Sequence, residues 1–340
     1  MDISQFLQVW YSENRRLLPW RETRDAYRIW LSEIILQQTR VAQGLDYYHR
    51  FVQNYPTVQA LAAATEDDVL KLWQGLGYYS RARNLHKTAR AVGDRPFPTS
   101  YADLLRLPGI GPYPAAAIAS FSADEAVAVV DGNVYRVLSR LFDLDLPIDS
   151  TSGQKYFQQL ATELLDRRHP ALHNQAIMEF GALQCTPTSP LCTTCPLADK
   201  CLALQRGTIA QRPVKAGKTK VRDRHLHYYL LKEGDRLWVH QRGAGDIWQG
   251  LWEFYLVEEG IEDDAATRLK LPADKPVFTL RHLLSHQRLT CDFHIVHIDR
   301  TLTSLPSDYV LLSWEEWQKK AVAKPIFDAN RRFSALFSAK

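Results

Sequence analysis

The sequence predicts two domains of different class: an all-helical one over residues 1–207 and an α+β one over 225–340, joined by a basic linker at 208–224. Three observations carry that division. Apolar residues recur at helical spacing up to about residue 205, with proline and glycine between the runs. After residue 225 short aromatic and β-branched runs take over, several of them alternating. The charge is also segregated. Residues 1–207 hold 21 basic and 21 acidic side chains and residues 225–340 hold 15 and 16. The formal +4 of the 340-residue chain therefore resides in 208–224, where Arg212, Lys215, Lys218, Lys220, Arg222 and Arg224 face one acid, Asp223. No apolar run approaches the ~20 residues of a membrane span, which predicts a soluble chain. The start has acids and no basic-then-apolar order, which argues against a signal peptide.

In chain order, helices are expected through 27–51, 69–73, 82–92, 115–121, 134–142 and 175–183, separated by Pro56, Gly75, Gly77, Pro96, Pro98, Gly109, Gly111, Pro147 and Pro170. The linker is short of large apolar residues and carries Pro213 and Gly217, so it reads as a tether, either simply solvated or also tracking a phosphate backbone. Strands are expected at HLHYYLLKEG, DRLWVHQR, LWEFYLVEEG, VFTLRHLLSH, RLTCDFHIVHID and YVLLSW, with short helices at 263–271 and 314–320.

Four of the five cysteines, Cys185, Cys192, Cys195 and Cys201, fall in the pattern C-x6-C-x2-C-x5-C; Cys291 stands alone. The odd count, the chain length and the lack of a secretion signal argue against a disulfide framework. Four clustered thiols point to a metal centre. A zinc site usually offers two close pairs, whereas here there is one, so the spacing favours iron–sulfur over zinc.

Three further motifs carry chemistry. LPGIGPYPAAAIASF (107–121) reads as a helix ending at Leu107, a turn through Pro108, Gly109 and Gly111, and a small-residue helix from Pro114. The glycines allow positive φ and close approach, and free N–H groups at the next helix start suit a phosphate. This pattern matches the helix-hairpin-helix DNA-binding element. In VVDGNVYRVLSRLF (129–142), Asp131 lies after an apolar run and before a new helix, the usual place of a capping acid. In WLSEIILQQTR (30–40), Glu33, Gln37 and Arg40 are spaced for one helical face, and Glu33 is flanked by Trp30, Ile34 and Leu36. A carboxylate among apolar groups has a raised pKa and can serve as an acid near neutrality. An ordinary helix acid is the plainer reading.

Taken together, LPWRETRDAYRIWLSEIILQQTRV (18–41), GLGYYSRARNL (75–85), LPGIGPY (107–113), VDGNVYRVLSRL (130–141), NQAIMEFGALQC (174–185) and the four cysteines resemble the MutY family of adenine DNA glycosylases, within the helix-hairpin-helix glycosylase superfamily. The resemblance implies an all-α helix-hairpin-helix glycosylase domain (hairpin at about 104–121, iron–sulfur loop 185–201), followed by an α+β Nudix-like domain. It implies a 4Fe-4S cluster on Cys185, Cys192, Cys195 and Cys201. The implied activity is removal of adenine opposite 8-oxoguanine or guanine in duplex DNA, by a monomer in a bacterial-type cytoplasm.

By the same resemblance Glu33 protonates adenine, Asp131 faces the sugar cation, Asn133 supports the site and Tyr113 stands near Asp131. Arg16, Trp20, Arg21 and Leu36 line the base pocket, and Glu179 hydrogen-bonds the adenine edge. Gln38, Thr39, Tyr78, Gly109 and Gly111 contact DNA, with Gln38 and Tyr78 entering the duplex. Leu284, Ser285 and His286 occupy the 8-oxoguanine-recognition loop, with leucine where the family has phenylalanine. Pro114 replaces a frequent threonine and puts the hairpin's exit helix and its phosphate contacts in question. The lyase relative endonuclease III has lysine at the Tyr113 position, and a phenol cannot form its Schiff base, so a monofunctional enzyme is expected. A catalytically dead DNA-binding protein would lack Glu33 or Asp131, and a Nudix hydrolase would need a metal box that GLWEFYLVEEG does not supply.

Overall fold

The structure is a computed structural model that describes residues 2–217, 220–261, 269, 271, 275–298 and 305–337. The helix predicted at 263–271 falls almost wholly outside them, as does Lys218. The chain divides into two compact units, Met1–Ala62 with Lys87–Lys218, and Ala63–His86 with Thr219–Lys340. The predicted boundary is thus crossed by one helical segment.

The first unit is helical throughout. It contains α1 (Ile3–Asn14), α2 (Ala26–Leu36), α3 (Val41–Asn54), the start of α4 (Val58–Ala63), and, beyond α5 (Glu66–Trp73), the later part of α6 (Ser80–Val92). Then follow α7 (Tyr101–Leu104), α8 (Pro112–Ala123), α9 (Gly132–Leu141), α10 (Thr151–Leu164), α11 (Pro170–Leu183) and α12 (Leu202–Gln205). Local chemistry sets the helix starts. Asp2 caps α1 in a reciprocal box with Gln5, Asp25 caps α2, Ser150 caps α10 and Asp131 caps α9. The core joins Leu7 and Trp10 of α1, Val134, Val137 and Leu138 of α9, Phe157 of α10 and Phe180 of α11, with Leu197 of the cysteine loop packed in. Burying these side chains contributes about 1.5–3 kcal/mol each.

Two expectations change here. The apolar run 27–51 is two helices, because the chain breaks at Gln37–Arg40. Gln37 is the C-cap of α2 and Arg40 the N-cap of α3, so neither shares a helical face with Glu33. The hairpin is also shifted: α7 ends at Leu104, and α8 begins at Pro112 rather than Pro114. Both prolines lie in the first turn, where an N–H has no helical partner to lose, so the exit helix is intact.

Among the described residues, the second unit holds a seven-stranded mixed sheet made of β1 (Arg222–Glu233), β2 (Arg236–Gln241), β3 (Trp252–Glu253), β4 (Tyr255–Glu258), β5 (Phe278–Leu283), β6 (Gln287–His297) and β7 (Val310–Ser313). The path runs β3-β2-β1-β6-β5, with β4 also on β1 and β7 on β2; β1 and β6 are parallel. All six predicted strand regions are strands. The predicted helix at 314–320 is α13 (Trp314–Gln318), and α14 (Lys324–Phe333) was not foreseen. Its signal was present: Pro325 near the start and Ile326, Ala329 and Phe333 on one buried face.

Residues 63–86 join this unit through polar contacts. Lys71 Nζ donates to the carbonyls of Gln318 (2.7 Å) and Lys320 (2.8 Å), and Trp252 Nε1 donates to Asp67 (3.1 Å). The acids nearest a Nudix-type box are also committed. Arg242 binds Glu253 and Asp246, and Arg224 binds Asp246 and Glu258.

The linker is not a free tether. Thr208 and Arg212 bind Asp143, and the N–H groups of Ala216 and Gly217 bind Asp149. Residues 222–224 already belong to β1. Arg212 and Arg224 are therefore neutralised by carboxylates. Arg222 lies 3.6 Å from Glu258 with its side chain still mostly exposed. No helix among the described residues is long and apolar enough to cross a membrane.

Candidate active site and cysteine loop

α2 carries Glu33 to the inside of the first unit, because one face of AYRIWLSEIIL is nearly all apolar and Trp30, Leu31 and Ile35 beside it are fully buried. Glu33 is only 8% exposed. Tyr113, at the second position of α8, donates its hydroxyl to Glu33 Oε2 at 2.8 Å. Burial pushes the Glu33 pKa from its ordinary 4.5 to about 7, the Tyr113 hydrogen bond pulls it down, the Asp131 charge raises it, and Arg21 lowers it. The acid is therefore poised at neutrality.

Asp131 lies close enough to act on Glu33, and its own carboxylate is held by α9. The N–H groups of Asn133 (2.9 Å) and Val134 (2.8 Å) bind Oδ1, and Asn133 Nδ2 binds Oδ2 at 2.7 Å. Burial raises its pKa, opposed by these three hydrogen bonds. All three partners donate, which is the arrangement an ionised, acceptor-only carboxylate needs. The helix-capping reading and the catalytic reading of Asp131 thus describe one geometry.

Asn133 is set by Arg136, a residue that no sequence motif singled out. Arg136 is 9% exposed, and its guanidinium reaches Asn133 Oδ1 (2.8 Å), Gly181 O (2.7 Å) and Cys185 O (2.7 Å). Gly181 is required where it stands, since a Cβ there would lie 2.6 Å from that of Asn133. The available signal was a pair of arginines, Arg136 and Arg140, on the strongly amphipathic helix that starts at Asp131.

Arg16, Arg21 and Glu179 form a second group. Glu179, on α11, is fully buried and takes the Arg16 N–H (2.9 Å), Arg16 Nε (2.8 Å), Arg16 Nη2 (2.6 Å) and Arg21 Nη2 (2.7 Å). Burial alone would raise its pKa; the arginine hydrogen bonds override this and hold it at about 2. Both of its oxygens are engaged in this state. Trp20 is buried and meets the Tyr48 ring edge-on, and Leu36 closes α2, half-buried.

Two of the DNA-contact candidates, Gln38 and Tyr78, sit on strained backbone. Gln38 has φ 56° and is exposed; Thr39 follows it, its N–H on Leu36 O. In the other unit, Tyr78 has φ 47° and is 46% exposed. Non-glycine residues in the left-handed region cost about 1–3 kcal/mol and cluster at functional sites. Gly109 has φ 79°, as expected, but Gly111 has φ −87°, an ordinary value. A Cβ built at Gly111 would meet nothing within 4 Å, so neither backbone conformation nor packing within the protein requires glycine there. Leu284, Ser285 and His286 form the turn between β5 and β6, with Ser285 and His286 exposed and Ser285 Oγ 3.3 Å from His286 Nδ1.

Cys185, Cys192, Cys195 and Cys201 are free thiols, half-buried, and line one cavity with Val137, Arg140, Leu141 and Phe180. Burial and then the neighbouring thiols raise the pKa of Cys192 and Cys201. Cys195 is pushed to about 11 mainly by burial, with its three neighbours adding to this. Four thiols gathered in one apolar cavity fit a cationic metal centre, which would stabilise their thiolates. Arg140 secures the loop by donating to the carbonyls of Thr186 (2.7 Å) and Pro187 (3.0 Å).

Comparisons with known proteins bear on the family and the fold. Residues 31–166 match the HhH-GPD superfamily base excision DNA repair protein model, and residues 227–329 match the NUDIX domain model. An adenine DNA glycosylase from Buchnera aphidicola subsp. Schizaphis graminum is 37% identical over 74% of this chain and 74% of its own length. That of Mus musculus is 34% identical over 95% of this chain and 76% of its own. Among solved structures, a thermostable thymine-DNA glycosylase superposes with a TM-score of 0.55 at 28% identity, over 60% of this chain and 95% of that one. On these relatives and this site, the chain belongs to the adenine DNA glycosylase family.

Proposed function

We propose that the protein removes adenine mispaired with 8-oxoguanine or guanine in duplex DNA, as a monofunctional hydrolase working as a monomer. The observation that carries this is the buried Glu33, protonated near neutrality and held by Tyr113, in electrostatic reach of a fully hydrogen-bonded Asp131. A deprotonated adenine is a poor leaving group. Protonation at N7 by Glu33 lets it depart neutral, and the sugar left behind gains oxocarbenium character. The Asp131 carboxylate, fixed by Asn133 and α9, stabilises or transiently traps that cation, as paired carboxylates do in glycoside hydrolysis. The deprotonated Glu33 then accepts a proton from the incoming water.

The base reaches this site only if it leaves the stack. We assign Arg16, Trp20, Arg21, Leu36 and Glu179 to the adenine pocket. Glu179 acts chiefly by orienting the two guanidiniums, and Arg16, one third exposed, has room to face a ligand. Gln38, Thr39 and Tyr78 are assigned to the opened duplex, and Gly109 and Gly111 to its backbone. Pro112 and Pro114 have no N–H, so neither can donate to a phosphate at the hairpin. The turn Leu284–Ser285–His286 is assigned to 8-oxoguanine. The ion pairs that occupy Glu253, Glu258 and Asp246 support a recognition module over a metal-dependent hydrolase.

The four cysteines would hold a 4Fe-4S cluster, which would supply Fe–S bonds that fix the loop; no step of base removal runs through it. The functional partition then follows the chain: catalysis in 1–207, backbone contact in 208–224, lesion recognition in 225–340. Single-turnover cleavage of a duplex with one adenine opposite 8-oxoguanine tests the reading. Abasic product is expected from the native protein, and bound but uncleaved DNA from Glu33→Gln. Absence of product from the native protein refutes it, and an efficient borohydride-trapped adduct refutes the monofunctional assignment.

A further inference from the structure

Away from the residues assigned above, one cluster of ligand-type side chains lies on the sheet of the second unit. Strand pairing creates it. β1 and β6 run parallel with His227 opposite Asp292, and β5 places Thr279 opposite Asp292 on the other side. Side chains two apart share a face, so His225 joins His227 on that row. His225 Nε2 lies 2.7 Å from Asp292 Oδ2, and His227 Nδ1 lies 3.8 Å from the same oxygen. All three potential donor atoms fall within 4.8 Å of one another. In a tetrahedral zinc site with bonds of about 2.0–2.1 Å, neighbouring donors stand about 3.3–3.5 Å apart, so the His225–Asp292 pair must open by about 0.6–0.8 Å and the widest pair close by at most about 1.5 Å.

The outer contacts have the form of a built site. The other nitrogen of His225, Nδ1, faces Glu259 Oε2 at 3.0 Å, and the other oxygen of Asp292 accepts the Thr279 hydroxyl. A carboxylate behind a ligating histidine, and a hydrogen bond behind a ligating carboxylate, are the usual outer supports of a zinc site. Asp292 is nearly buried, while His225 and His227 are about a third exposed, so an ion would have three protein donors and an open, solvated position.

We propose that His225, His227 and Asp292 form a divalent metal site for zinc, distinct from the cysteine loop. Two imidazoles and one carboxylate select zinc over magnesium or calcium, which take all-oxygen sets. The bound ion cross-links the start of β1, where the basic linker ends, to the strand that leaves the Leu284–Ser285–His286 turn.

The test uses the full-length protein, stripped with a chelator under conditions that leave its iron content unchanged, then titrated with zinc chloride against a chromogenic zinc indicator. One zinc per chain is expected in addition to iron. X-ray absorption at the zinc edge should show nitrogen and oxygen neighbours at about 2.0–2.1 Å. Binding should be lost in His227→Ala and Asp292→Asn. Glu259→Gln changes only an exposed side chain, so it leaves the fold intact, and it should weaken zinc by about 10–100-fold. Sulfur neighbours at about 2.3 Å would place the zinc on the cysteines and overturn the proposal. Equal affinity in the native protein and Glu259→Gln, or no zinc bound by the native protein, would also overturn it and leave His225 an ion-pair partner of Asp292 and Glu259.

Discussion

Glu33→Gln should inactivate the protein and, above neutral pH, stabilise it. Glu33 titrates at about 7 in the fold against an ordinary 4.5. Below about pH 4.5 the group is neutral in both folded and unfolded chains, so it carries no ionisation penalty there. As pH rises towards 7 the unfolded chain ionises first, and this stabilises the unfolded state. The shift of some 2.5 units corresponds to about 3 kcal/mol at 1.36 kcal/mol per unit, in full above pH 7. Glutamine is neutral at every pH, has the same shape, and its Oε1 can still accept the Tyr113 hydrogen bond. The variant should therefore match the native protein near pH 4.5 and exceed it by up to about 3 kcal/mol at pH 8, which for a domain of this size is several degrees in Tm. The assay is thermal unfolding of both proteins across pH 4.5–8, alongside single-turnover excision. A Glu33→Gln protein equally stable, or less stable, than the native one at pH 8 would refute the raised pKa, even if activity were lost.

The same titration predicts that native excision falls as pH rises through about 7, where Glu33 loses its proton, and falls again on the acid side, where the buried Asp131 gains one. Tyr113→Phe removes the hydrogen bond that pulls Glu33 down, so the falling limb of that profile should move to higher pH; an unmoved limb would contradict the assigned hydrogen bond. Arg136→Ala leaves the oxygens of Asn133, Gly181 and Cys185 without their donor, at about 1.5–3 kcal/mol for each hydrogen bond to a charged group. It should lower the single-turnover rate more than DNA affinity, and a pure loss of affinity would argue against its positioning of Asp131. Neutralising Lys215, Lys218, Lys220 and Arg222 should flatten the salt dependence of DNA binding by about 0.9 for each phosphate these side chains neutralise, at nearly constant excision rate, whereas a collapsed rate would show another role. Replacing Ser285 and His286 with alanine should narrow the preference for adenine opposite 8-oxoguanine over adenine opposite guanine. An unchanged preference would remove that turn from lesion recognition.

Local interactions explain what was legible in the residue order. Helical and strand periods, capping acids and breaker residues act within a few positions, so the two fold classes and nearly every strand could be read directly. The Cys185–Cys201 spacing and the motifs around Glu33, Tyr113 and Asp131 were legible because they are contiguous. The break at Gln37–Arg40 was not, because no proline or glycine marks it; the chain there adopts a left-handed residue that local preference disfavours. Arg136 was missed because its three partners come from α9, α11 and the cysteine loop. Arg212 and Arg224 looked like free positive charge until distant carboxylates were found against them.

The sequence by itself determined the family, the two fold classes and which side chains are chemically equipped to act. Only the tertiary structure decided their states. Glu33 is a neutral-pH acid because helices packed around it exclude water, and Glu179 is a strong anion because two arginines from elsewhere close on it. Burial and charge pairing depend on residues far apart in the chain, so a pKa, unlike a helix cap, cannot be read from neighbours in sequence.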